Sequence, residues 1–306
     1  MNRKRWVGLG VMVVVVVAGG IFADPSCTAL GWLRGEHFYR GRPTTYWGRA
    51  LRDPSPAVQA EADRALKDGG AAAAPVLVEL LRPGGGWGST EVRCRAAELL
   101  GHAGADAPGA VPALVAAVND PDPHVRAVAV TAVGALAPKG AEAVPALARA
   151  LDGPDRLAAI KALGLFGAEA REAAPGLAAV LKSDGDATVR WNAAAALGKI
   201  GPEARSAVPA LLAALHDADA LVREHAAESL GQIGPDARAA VLPLTEALAD
   251  KEPRVRRDAV RSLGQLGPAA AASRPAVAAL LKDADPKVRE AAEKALRQIA
   301  PKAQGE

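Results

Sequence analysis

A motif of 33 residues recurs along most of the chain, and this periodicity limits the fold more than any other feature. The dipeptide Val-Arg begins at Val92, Val125, Val189, Val222, Val255 and Val288, at intervals of 33, 64, 33, 33 and 33 residues. The long interval contains a divergent copy with Asp155-Arg156, and a first copy with Val58-Gln59 precedes Val92. Periods of roughly 20–50 residues are typical of proteins built from stacked supersecondary units. The sequence therefore predicts eight stacked copies.

Each copy carries the signals of two helices, which we name helix A and helix B. In the copy at residues 207–237, helix A has Pro209 in its first turn, where a backbone N–H has no partner inside the helix. Asp217 marks the turn that follows. The apolar residues of helix B lie on one helical face: Val222, Ala226, Leu230 and Ile233. Gly-Pro then ends the helix.

One arginine and one aspartate recur at fixed positions in most of the copies. We predict that they form an Arg–Asp ladder between adjacent copies through charge-assisted hydrogen bonds, and that the ladder is structural. The arginines are Arg93, Arg126, Arg156, Arg190, Arg223, Arg256 and Arg289, and the aspartates are Asp120, Asp184, Asp217, Asp250 and Asp283.

The patterns P-x-L-x-x-x-L-x-D and V-R-x-x-A-x-x-x-L-G of these copies resemble HEAT repeats, specifically the short, Ala-rich type called PBS-lyase-like. The resemblance covers about residues 46–306. It implies an all-α, right-handed α-solenoid of the armadillo type, with about eight helical hairpins in a domain at 44–306. It does not specify a function, because such solenoids serve many roles.

The chain starts with Arg3, Lys4 and Arg5, followed by an uncharged run at residues 6–23. Eighteen helical residues nearly span a hydrocarbon core of ~30 Å, so we expect residues 1–23 to form one hydrophobic helix, either a transmembrane anchor or a cleaved signal segment. Residues 24–43 contain several Gly and Pro and read as a linker. The expected protein is a single-pass membrane protein with an extracytoplasmic C-terminal domain; the alternative is a secreted or periplasmic protein after cleavage.

Charge argues against a nucleic-acid partner. Residues 1–45 hold six of the 37 basic residues and two of the 34 acidic ones, so the repeat region has a net charge of −1. A near-neutral surface lacks the basic footprint that phosphate backbones require. Cys27 and Cys94 are far apart, with no Cys/His cluster. No cofactor or metal is expected.

The expected function is protein–protein interaction by a membrane-tethered or exported scaffold, without enzymatic activity. No catalytic motif stands out, and the chain lacks the His-Glu dipeptides with which the similar deoxyhypusine hydroxylases bind iron. Helix B positions expected to face solvent supply candidate binding residues: Arg95, Trp191, Asn192, Glu224, His225, Arg257 and Arg261. An exposed Trp191 would be a binding hot spot; otherwise it packs locally. The alternatives are an accessory subunit of a lyase-like enzyme and a structural spacer.

Overall fold

The computed structural model describes residues 27–84 and 88–299, and within them the chain forms eight pairs of helices. The A helices are α2 (Thr44–Ala50), α4 (Ala74–Leu81), α6 (Ala110–Ala117), α8 (Val144–Ala150), α10 (Ala174–Ser183), α12 (Val208–Ala214), α14 (Val241–Glu246) and α16 (Arg274–Ala279). The B helices are α3 (Pro56–Gly69), α5 (Thr90–Ala103), α7 (Pro123–Ala135), α9 (Arg156–Phe166), α11 (Ala187–Ile200), α13 (Ala220–Ile233), α15 (Pro253–Leu266) and α17 (Pro286–Ile299). The predicted helical-repeat fold is confirmed, whereas its right-handed sense stays a prediction.

Short 3-10 segments accompany the A helices. Six lead into them: Gly70–Ala72, Ala141–Ala143, Gly167–Ala173, Gly201–Ala207, Gly234–Ala240 and Gly267–Ser273. Two follow the last A helices: Ala247–Ala249 and Leu280–Lys282. Several of the connecting glycines, such as Gly201 and Gly234, have positive φ, which glycine adopts without steric cost.

The chain divides into two compact units, with the division between Ala132 and Val133. In the second unit, the B helices α9, α11, α13, α15 and α17 pack side by side in chain order. Their apolar stripe is fully buried, as Val222, Leu230 and Ile233 in α13 illustrate. A helical pair cannot bury this stripe alone, so each pair depends on its neighbours.

Two local features explain why the B helices form and pack as they do. Asp219 caps α13 because its carboxylate accepts hydrogen bonds from the Leu221 and Val222 backbone N–H groups at 2.8 and 3.3 Å. Gly231, nine residues after the repeat valine, permits close approach of the next helix. A Cβ atom at Gly231 would lie 2.8 Å from the Cα atom of Ser262. The recurring glycine is therefore a packing requirement.

Residues 27–43, for which the sequence predicts a linker, form α1 (Thr28–Arg34) and an antiparallel pair of strands, β1 (Phe38–Tyr39) and β2 (Arg42–Pro43). Buried Glu36 holds this segment on α2, since its carboxylate accepts hydrogen bonds from the Thr45 N–H at 2.8 Å and the Thr45 hydroxyl at 2.5 Å. Gly and Pro suggested irregular chain, but these polar contacts order it.

The prediction of a single-pass membrane protein requires a correction. No helix within residues 27–84 and 88–299 is long and apolar enough to cross a bilayer. The segment 6–23, on which that prediction depended, lies outside the described residues.

Candidate protein-binding surface

Each ladder arginine in the middle of the second unit joins two turns. Arg223 donates from Nε and Nη2 to the two carboxylate oxygens of Asp250, at 2.7 and 3.0 Å. Its Nη1 donates to the Asp217 carbonyl at 2.9 Å, which belongs to the turn of its own pair. Arg190 and Arg256 repeat this arrangement one pair earlier and one pair later. The planar guanidinium suits this fork because it presents donors in two directions.

Among the other ladder arginines, Arg93 keeps this pattern, since its Nη1 donates to the Gly88 carbonyl in the turn of its own pair. Arg93 forks onto Asp120 with two distances of 3.1 Å. Arg156 begins its helix in the divergent copy and reaches Asp184 through Nε, at 2.6 Å, with its side chain 39% exposed. Arg126 donates to the carbonyl of Asp120, and Arg289, in the last pair, to the carbonyl of Asp283.

The carboxylates of Asp184, Asp250 and Asp283 are stabilised in their ionised form. The hydrogen bond from Arg256 is the main cause of the lowered pKa of Asp283, and that from Arg156 is the main cause of the lowered pKa of Asp184. Burial raises the pKa of Asp250, but the hydrogen bonds from Arg223 and the Glu252 N–H outweigh it, so the pKa is lowered. These three carboxylates are thus ionised at neutral pH.

Trp191 and His225 form a stacked pair on the B-helix surface of the second unit. Their ring centroids are 5.1 Å apart and their planes differ by 22°. His225 Nδ1 lies 3.3 Å from a carboxylate oxygen of Glu228. Trp191 is half-buried, so the rival prediction of local packing describes part of its surface and leaves another part accessible.

The Trp191–His225 pair lines an open groove of about 350 Å³, which we name the Trp191 groove. Its walls include Lys161, Leu165, Trp191, Lys199, His225 and Glu228. Sequence reasoning did not select Leu165 or Lys161. Leu165 is 58% exposed, unusual for a large apolar side chain. The missed signal is that Leu165 occupies the position held by Lys199, Gln232, Gln265 and Gln298 in the later copies.

Asn192, which we expected to face solvent, is buried, and so is Ser229 on the next B helix. Asn192 is 8% exposed and donates to the Thr188 carbonyl of its own helix at 2.7 Å. Ser229 is 1% exposed and donates to Ala194 of the preceding B helix at 2.8 Å. The preceding B helix covers Ser229. Asn192 is buried against its own helix but still lines the Trp191 groove, so its role in binding stays a prediction.

The other candidates separate into two places. In the second unit, Arg257 donates to Glu224 at 3.2 Å and to Asp258 at 2.7 Å, and Arg261 reaches the same aspartate at 3.2 Å. In the first unit, Arg95 forms an exposed ion pair with Asp63 at 3.3 Å. The structure thus gathers Trp191, Glu224, His225, Arg257 and Arg261 on one set of packed helices.

The described part of the chain shows no cluster of three or more His, Cys, Asp or Glu residues that is able to hold a metal ion. Cys27 and Cys94 are free thiols. Burial is the main cause of the raised pKa of the Cys94 thiol.

Paired helices with a 33-residue period and a ladder between successive turns define a helical-repeat protein of the α-solenoid class. A family model described as HEAT repeats matches residues 88–164, 152–208, 174–242 and 241–304. These matches cover more than half of the sequence, and the chain belongs to the HEAT repeat family. No curated protein matches it.

Solved structures with the same fold are distant in sequence. An engineered protein is 24% identical with a TM-score of 0.56, over 84% of this chain and 78% of that one. The Escherichia coli protein YibA is 22% identical with a TM-score of 0.54, over 83% and 92%. Importin beta is 14% identical with a TM-score of 0.55; the match covers 97% of this chain but 46% of that one. These likenesses concern the fold alone.

Proposed function

We propose that this protein is a HEAT-repeat scaffold that binds a protein partner through the B-helix surface of its second unit, without catalysing a reaction. The observation that supports this most directly is the Trp191 groove, where the exposed Leu165 adjoins the stacked Trp191–His225 pair. Aromatic residues and arginine dominate the energetics of protein interfaces. Arg257 and Arg261 lie on a neighbouring helix of the same row.

The repeat architecture explains why such a surface is free to specialise. The buried stripe, the close-packing glycines and the Arg–Asp ladder hold adjacent pairs together, and they use other positions of the B helix. Exposed B-helix positions can therefore differ from copy to copy without loss of the fold. Their variety here, from Leu165 and Trp191 to Arg261, is what a specific binding surface requires.

A photoreactive amino acid at Gln232, exposed beside the groove, tests the proposal in cells that naturally contain the protein. The matched control carries the same group at Leu242, which is 68% exposed on helix A. We expect one protein to be crosslinked at Gln232, not at Leu242, and to be lost when Trp191→Ala is added. Equal or absent labelling at both positions would overturn the proposal and favour a structural spacer.

A further inference from the structure

Leu165 lies mostly outside the core, although one of its methyl groups packs beside Gly134 of the preceding B helix. It is 58% exposed, whereas Phe166, the next residue, is 2% exposed and fills the interior. The later B helices place Lys or Gln at the position of Leu165. The exposed side chain of Leu165 lies beside the stacked rings of Trp191 and His225. Together they form an apolar floor against which a ligand side chain can pack.

The two lysines beside this floor outnumber its one acid, Glu228. Lys161 and Lys199 are both exposed, and neither belongs to an ion pair among the residues that the structure describes. The acid in the groove, Glu228, is already occupied by His225 Nδ1 at 3.3 Å and by Gln232 Nε2 at 3.2 Å. A ligand that enters the groove therefore meets two lysines that lack an acidic partner.

The positive character continues towards the C-terminal pairs. A second hollow of about 400 Å³ shares Glu228 and Gln232 with the Trp191 groove. It adds four basic residues, Arg261, Lys287, Lys294 and Arg297, against the acids Asp258 and Glu290. Asp258 is bound by Arg257 and Arg261, so the remaining basic residues outnumber Glu290.

We propose that the Trp191 groove binds an acidic, extended peptide segment of a protein partner and seats one large apolar side chain of that segment against Leu165 and Trp191. This inference rests on the proposed function and specifies the partner's chemistry. Carboxylates on either side of the apolar residue contact Lys161 and Lys199, and further acids reach Lys294. Five neighbouring B helices at ~9 Å spacing span roughly 35 Å, which fits about ten extended residues.

The test measures binding of three fluorescent ten-residue peptides to the full chain by anisotropy. The first has one central leucine among glutamate and serine residues, the second has serine in place of leucine, and the third has lysine in place of every glutamate. We expect the first peptide to bind at least about tenfold more tightly than either of the others, and its affinity to fall with added salt. Equal affinity for the three peptides would overturn the inference.

Variants locate the binding. Lys199→Glu is expected to lower the affinity for the first peptide by about tenfold or more. Leu165→Gln introduces the glutamine of the later copies and is expected to lower that affinity by about fivefold. Lys182→Glu makes the same charge change at an exposed position of helix A and is expected to leave affinity unchanged. Similar effects of Lys199→Glu and Lys182→Glu would overturn the site. If a protein is crosslinked at Gln232 but the three peptides bind equally well, the proposed function stands and the inference that the bound segment is acidic is refuted.

Discussion

Arg223→Ala is the sharpest test of what holds adjacent pairs together. The substitution removes four hydrogen bonds, two to Asp250 and two to the turn carbonyls of Asp217 and Ala218. Asp250, with its side chain 13% exposed, then retains the Glu252 N–H at 2.9 Å as a partner. The ionised carboxylate is left near the protein interior without its countercharge.

The magnitude follows from this geometry. Removing one partner of a buried ion pair costs about 3–5 kcal/mol, and partial access of water to Asp250 reduces this to about 2–3 kcal/mol. In a unit of roughly 170 residues, each kcal/mol lowers Tm by about 2–4 °C, so we expect a decrease of about 5–10 °C. Circular dichroism measures the melting temperature, and native-state hydrogen exchange assigns the loss to the second unit.

Two control variants make the order of effects informative. The ion pair of Arg261 with Asp258 involves an arginine side chain that is 59% exposed, so Arg261→Ala should cost less than about 1 kcal/mol. Arg156 is 39% exposed and makes one hydrogen bond to its ladder aspartate, so Arg156→Ala should lower Tm less than Arg223→Ala does. An unchanged Tm for Arg223→Ala, or a larger loss for Arg261→Ala, would refute the reasoning.

Three further predictions concern packing, pH and the N-terminal segment. Gly231→Ala should lower the free energy of unfolding in urea by about 1–3 kcal/mol, because the Cβ of the new alanine meets the Ser262 backbone. The control Gly185→Ala has open space around it and should leave the free energy of unfolding nearly unchanged. Equal effects of the two substitutions would contradict this. Because the pKa of Asp283 is lowered in the folded state, its contribution to the free energy of unfolding is complete above pH ~4 and is lost as pH falls through the folded-state pKa. The urea midpoint of Asp283→Asn should therefore fall less steeply with acid than that of the wild type. An unchanged slope of midpoint against pH would refute this. Glu36→Gln should raise proteolysis near residues 27–43, because a neutral amide binds the Thr45 N–H and hydroxyl less well; wild-type resistance would count against the clamp.

The helix pairs and the Arg–Asp contacts were predictable because their residues recur at the same positions in several copies. A valine–arginine pair at fixed spacing and an aspartate at each turn are explained only by contacts that recur between copies. Arg190 and Arg223 illustrate this, since each forks onto the aspartate 27 residues later. Helix ends were likewise readable, because capping aspartates such as Asp219 and the Gly-Pro stops act locally.

Other features depend on distances that a single copy does not encode. Ser229 is buried because the preceding B helix lies close enough for its hydroxyl to reach Ala194. The sequence predicted Trp191 and His225 as surface residues but not the Leu165 side of the groove, since Leu165 lies in the copy whose Val-Arg motif has diverged. Glu36 orders the segment before α2 through Thr45, a contact that a Gly/Pro-rich composition conceals.

The double contact of Arg190, Arg223 and Arg256 makes the pairs that they join equivalent. Arg190 and Arg223 are 33 residues apart and bind their own turn and the next in the same way. If residues 190–222 were excised, Arg223 would follow Val189 directly, and its fork would still find Asp250 one turn ahead. In this part of the chain, a whole 33-residue unit can be gained or lost during evolution while the arginine–aspartate contact between adjacent pairs is kept.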